Sequence, residues 1–353
     1  MAGKADYGYI NARVRGMKSR LLDRKTLDSL LFQPDIGTFI RDLEKTPYGP
    51  EILEAQARYS EVAAVDAALR KNLARTFRKI LGFVRGTDAE RYVHIFLSRW
   101  DVQNLKTILR GKKIHVTNEE ITECLVPAGE LDEVTLGEVI RQPDVRAVID
   151  MLATWDIPYA GPLTRSLGAY NKEEDLAILE CALDQFYYEQ ALASSGRKSR
   201  DSMLVSDLLT AEIDVTNIKT ALRLARDHVR PEDALRFFLP GGKVFDEKKL
   251  LAFMSVGSPA EIVRELAGTP YRLPPPAQER EVSEGKISSY EKELERFLVR
   301  KGVRAFYGDP LGIAPAAGYF WAKFNEVTNL RIIARSKISD LREDEVREEL
   351  TYV

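Results

Sequence analysis

An acid, an amide and an arginine recur three times at one spacing. Asp101, Asn104 and Arg110 stand in DVQNLKTILR, Asp214, Asn217 and Arg223 in DVTNIKTALR, and Glu326, Asn329 and Arg335 in EVTNLRIIAR. The chemistry these groups offer together is hydrogen bonding and ion pairing. At 100° per residue, Asp101 and Asn104 fall beside Leu105 and Ile108 on an apolar helix face, while Lys106 and Arg110 point away. A polar pair on a buried face must find partners or cost roughly 1–3 kcal/mol each. The spacing therefore predicts that the acid and the amide fix how this helix docks on its neighbours. The alternative is a binding site repeated three times.

Other routes to chemistry fail on spacing. A phosphate loop needs GxxxxGK[ST], and PGGKVF at 240–245 lacks its first glycine and its hydroxyl residue. There is no GxGxxG, GxSxG, HExxH or EF-hand loop, and no DDxxD of the kind helical terpenoid synthases use. His94, His115 and His228 are isolated and read as packed or surface residues. Cys124 and Cys181 form no CxxC, which fits a reducing compartment and excludes a cysteine-only zinc site. No pair of carboxylates stands out as an acid–base dyad. GDPLGIAPAAG at 308–318 reads as a helix start, with Asp309 as N-cap and Pro310 at the first helical position. The expectation is a non-catalytic chain with no cofactor.

The elements that carry the decamers repeat with them. Asp101 to Asp214 is 113 residues and Asp214 to Glu326 is 112. Upstream, Pro-Tyr pairs end at Tyr48, Tyr159 and Tyr271, steps of 111 and 112. Between Pro-Tyr and decamer lies an acid-x-x-Leu step: Asp66/Leu69, Glu180/Leu183 and Glu291/Leu294. VPAGEL (126–131) and LPGGKV (239–244) follow the first two decamers. Four ordered features at one period define three copies of one unit, at about 1–115, 116–228 and 229–353. The apolar spacing is helical throughout: Ile10, Val14, Met17 and Leu21 form one stripe, and Val102, Leu105, Ile108 and Leu109 another. No alternating β pattern is present. Phe186, Tyr187 and Tyr188 read as core, and SSGRKSR (194–200) and YRLPPPAQ (271–278) as connections. The expectation is an all-α protein of three similar helical domains, either in a closed arrangement of approximate threefold symmetry or in a row.

Composition bounds the partners. The 353 residues are 44% hydrophobic and 30% charged, with net charge −2, so chain-wide attraction to nucleic acid or anionic lipid is not expected. Charge is uneven. Residues 1–25 hold seven basic residues against two acids, and residues 339–353 hold six acids against two arginines. No secretory leader is expected, and no apolar run reaches the roughly 18 residues of a membrane helix.

The whole set resembles a known family. YGYINARVRGMKSRLL (7–22), the TPY steps, LPGGKVFD (239–246), GDPLGIAPAAGYFWAKFNEVTNLRIIAR (308–335) and the acidic tail are similar to the C/d family of archaeal and vacuolar-type rotary ATPase subunits. Asn11, Arg13, Arg15, Gly241, Gly242, Gly312 and the decamers carry the match. The resemblance implies a funnel of three helical domains around a pseudo-threefold axis. It implies a non-catalytic adaptor on the cytoplasmic face of the membrane rotor ring, receiving central-stalk subunits D and F and passing torque between soluble head and ring. The alternative is a helical-repeat interaction scaffold unrelated to ATPases.

Overall fold

The structure is a computed structural model that describes residues 5–196, 198–273, 287–339 and 341–353. Lys4, Arg197, Asp340 and most of YRLPPPAQ lie outside these. Among the described residues the chain forms α-helices and short 3-10 turns and no strand, as an all-α protein should. In chain order the helices are α1 (Tyr7–Lys18), α2 (Arg24–Leu31), α3 (Ile36–Leu43), α4 (Gly49–Gln56), α5 (Glu61–Val84), α6 (Glu90–Lys113), α7 (Asn118–Cys124), α8 (Glu133–Ile140) and α9 (Val145–Thr154). They continue as α10 (Ala160–Glu173), α11 (Ala177–Ser195), α12 (Arg200–Arg226), α13 (Pro231–Ala234), α14 (Glu247–Val256), α15 (Pro259–Glu265), α16 (Ser288–Arg304), α17 (Ala314–Ser336) and α18 (Glu343–Glu349).

The order of helices repeats, because the local signals repeat. Two short helices come first, each started by a side chain that accepts from a backbone N–H of its first turn. Asp23 and Asp35 cap α2 and α3, Asp132 and Asp144 cap α8 and α9, and Asp246 and Ser258 cap α14 and α15. The Pro-Tyr step follows: Tyr48 and Tyr159 stand at the N-caps of α4 and α10. A long helix comes next (α5, α11, α16), and then the helix that carries the decamer (α6, α12, α17).

The chain divides into two compact units. One comprises Met1–Gly111, His115–Arg141 and Gly302–Val353; the other comprises Lys112–Ile114 and Gln142–Lys301. In the first, α17 is buried on almost every side, as a helix apolar all round must be. Its Phe320 lies 4.8 Å, centroid to centroid, from Phe77 of α5 and 5.5 Å from Phe96 of α6. In the second, the decamer residues Val215, Ile218, Ala221 and Leu222 of α12 pack with Phe245, Phe253, Tyr271 and Leu294. Two expectations change. Helix α17 starts at Ala314, not near Pro310, because Asp309 caps a turn by accepting from Leu311 N at 2.9 Å. The carbonyls of Pro310 and Gly312 are taken by the Asn11 side chain at 2.7 and 2.9 Å, so neither waits for a helical N–H. The stripe of the first helix also stops short of Leu21, since α1 ends at Lys18.

Candidate functional site: three decamer junctions

All three decamer asparagines are buried and make the same two bonds. Asn104 donates from Nδ2 to the carbonyl of Val126 at 2.8 Å and accepts from Val126 N at 2.8 Å. Asn217 does the same with Leu239, at 2.8 and 2.9 Å. Asn329 does so with Thr351, at 2.9 and 3.1 Å, and Asn325 donates to the same carbonyl at 2.8 Å. In each case the partner lies 22 residues downstream. A primary amide is the one neutral side chain that satisfies both the N–H and the C=O of a single residue.

The decamer acids hold the backbone that leads into the next capped helix. Asp101 accepts from Glu130 N at 2.9 Å and Leu131 N at 3.0 Å. Asp214 accepts from Lys243, Val244 and Phe245 N at 3.2, 3.0 and 2.9 Å, and from the Tyr271 hydroxyl at 2.8 Å. Glu326 accepts from Leu22 N, the Tyr48 hydroxyl and, at 2.9 Å, Lys323 Nζ. Leu131, Phe245 and Leu22 each immediately precede a capping aspartate, Asp132, Asp246 and Asp23. The glycines of VPAGEL and LPGGKV now have a reason. A Cβ on Gly129 would stand 2.0 Å from Asp101 Oδ1, and one on Gly242 would stand 2.3 Å from Asp214 Oδ1. Where the acid is Glu326, one methylene longer, the segment it holds (19–22) contains no glycine.

The arginines complete the pattern. Arg223 pairs with Glu291. Arg335 reaches Asp66 at 3.1 Å beside Arg331 at 2.9 Å. Glu291 and Asp66 are acids of the acid-x-x-Leu steps. Arg110 is exposed at the end of its decamer. Features that the sequence shows only as parallel rows are thus partners of one another, across copies. The second decamer holds the backbone and the Pro-Tyr of the third copy, and the third holds Leu22 and Tyr48 of the first. The divisions expected at 115/116 and 228/229 fall between a decamer and the backbone it binds.

Burial sets the electrostatics. Asp101, with no exposed surface and two backbone donors, is pushed up from its ordinary value to about 7; burial is the main cause, and the N–H groups of Glu130 and Leu131 oppose it. Burial and then the neighbouring carboxylate raise the hydroxyls of Tyr48 and Tyr271, beside Glu326 and Asp214. Burial also lowers Lys323, which Glu326 partly offsets, and its Nζ sits 4.1 Å from the Tyr48 ring centre. His94, read from sequence as isolated, lies on the same edge: Nδ1 is 2.9 Å from Glu130 Oε1 and Nε2 is 3.5 Å from Glu90 Oε1. The Glu90/His94 spacing of four on one helix was the signal for the second of these. Glu130 first, then Glu90, raises His94 against a smaller opposing effect of burial.

Nothing in these junctions is open for a reaction. The carboxylates are saturated by donors of the chain itself, and the amides by one backbone residue each. Among the described residues no group of three or more His, Cys, Asp or Glu side chains is placed to hold a metal ion. No helix among them is long and apolar enough to cross a membrane. What the junctions can do is lock helices to loops.

Known proteins match along nearly the whole length. The ATP synthase (C/AC39) subunit family matches residues 10–349. The C-type subunit of the A-type ATP synthase of Methanosarcina acetivorans is 30% identical, with 99% of this chain and 94% of that protein aligned. Its counterpart in Halobacterium salinarum is 31% identical over 100% of this chain and 99% of its own. That of Methanocaldococcus jannaschii is 27% identical over 97% and 86%. A match of this extent, with the decamers and their partner loops inside it, settles the affiliation: the chain belongs to the ATP synthase (C/AC39) subunit family.

Proposed function

We propose that the protein is the non-catalytic central-stalk adaptor of an A/V-type rotary ATP synthase. It joins the rotating shaft, subunits D and F, to the membrane rotor ring at the cytoplasmic face, and transmits torque between them. The family match over residues 10–349 carries this reading. Physical features support it. A torque-bearing part must resist shear, and close-packed helices tied by saturated polar junctions supply stiffness. The cyclic order of the junctions, second decamer to third copy and third decamer to first, suits three helical domains about a pseudo-threefold axis, open as a funnel to receive the shaft. The contacts of such an adaptor to ring and shaft are polar enough to be made and broken under control. The family affiliation leaves no place for a scaffold unrelated to ATPases.

Capture of the tagged full-length chain from detergent-solubilised membranes of its host is the test. The expected eluate contains D, F and the ring proteolipid. An eluate with neither shaft nor ring proteins sinks the proposal. Co-elution with the stationary parts of the complex but not with the rotor does so too.

A further inference from the structure

The loop that follows α16 is presented to solvent with two large apolar side chains. Tyr307 is 75% exposed and Leu311 70% exposed. Their backbone is fixed from below. Ala305 and Phe306 are buried, and Gly318 of α17 lies so close that a Cβ there would stand 2.2 Å from Phe306 N. The far end of the loop is clamped by Asn11, itself buried, through the carbonyls of Pro310 and Gly312. A loop held this way has already lost the conformational freedom that binding would otherwise remove.

Cations border it. Asn11, Arg15 and Lys18 share one face of α1, being four and three residues apart. Lys18 Nζ sits 4.7 Å from the Phe306 ring centre and 5.6 Å from that of Tyr307. Arg304 directly precedes the turn and is exposed. Against Arg15, Lys18 and Arg304 stands one carboxylate, Asp309, engaged with Leu311 N. An exposed tyrosine and leucine amid arginines is the composition of a protein–protein hot spot.

The charge selects the partner. Cytoplasmic loops of membrane proteins tend to be basic, and a basic platform repels them. We infer that α1 and the 305–312 loop form the docking surface for an acidic helical segment with an apolar face, contributed by the shaft and not by the ring. This rests on the proposed adaptor role.

The experiment uses the full-length chain, purified D–F complex and detergent-solubilised ring in separate binding assays. Tyr307→Ala combined with Leu311→Ala should weaken D–F binding about tenfold or more. Arg15→Glu combined with Arg304→Glu should weaken it and flatten its salt dependence. Ring binding should stay as in wild type, and helical circular dichroism should be unchanged because all four side chains are exposed. Variants that lose the ring but keep D–F overturn the assignment, and so do variants that bind both as wild type does. A wild-type chain that binds neither partner instead removes the adaptor reading on which the assignment stands.

Discussion

Asp101 receives fewer donors than its counterparts, and that has a consequence in pH. Asp214 takes three backbone N–H groups and a hydroxyl, and Glu326 takes an N–H, a hydroxyl and an ammonium, whereas Asp101 takes two N–H groups. Burial then holds its proton up to about 7, from an ordinary 3.8. Between those values the folded chain binds more protons than the unfolded one, so stability falls as pH rises. His94 acts in the same sense. Its folded value is raised above 6.5 by Glu130 and Glu90, so its contribution is present at low pH and lost as pH climbs through the raised value. Each group contributes at most about 1.4 kcal/mol per pH unit. Urea unfolding should therefore show stability declining from pH 5 to 8, with a shallower slope in Asp101→Asn and in His94→Gln. A wild-type profile that is flat or rising across that window would contradict this account, as would an unchanged slope in both variants.

Helices and loops, not single residues, are what the decamers join. Replacing Asp214 with Leu fits the apolar face of α12 but strands the N–H groups of Lys243, Val244 and Phe245 and the hydroxyl of Tyr271. Each buried orphan costs roughly 1–3 kcal/mol, so the variant should melt lower or fail to fold. An unchanged melting temperature with lost shaft binding would instead make the decamer a binding site. The helices themselves were readable, because apolar period, capping residue and breaker act within a few residues of one another. The repeat was readable because the same polar pair must be satisfied in each copy, which holds Asp or Glu and Asn in place on a face otherwise apolar. The partners were not. Asn104 and Val126 are separated by α7, and Glu326 and Leu22 by 304 residues, so no local pattern links them. Asp309 misled for a similar reason: the carbonyls that would begin a helix there are claimed by Asn11, 299 and 301 residues away. His94 looked alone because Glu130, its nearer partner, stands on the loop that Asp101 pins.

At the scale of the whole molecule, two kinds of force hold different things. The cores are apolar and the junctions buried, so the fold depends little on ionic strength. The outer surface is a patchwork: seven cations against two acids in residues 1–25, six acids against two arginines in residues 339–353, and exposed pairs such as Arg230–Asp233. Exposed charges attract only within a Debye length, about 8–10 Å near physiological ionic strength and less as salt is added. An adaptor that grips basic ring loops and an acidic shaft segment through such surfaces should let go before it melts. Raising salt is therefore expected to lower the yield of this chain in pull-downs on the rotor ring, while its helical circular dichroism stays constant over the same range. The two readings must be taken together, because release that coincides with lost helicity would mean unfolding and not screening. Ring binding that persists at molar salt would place apolar contact at that junction, and charge complementarity would then not be what couples the adaptor to the membrane sector.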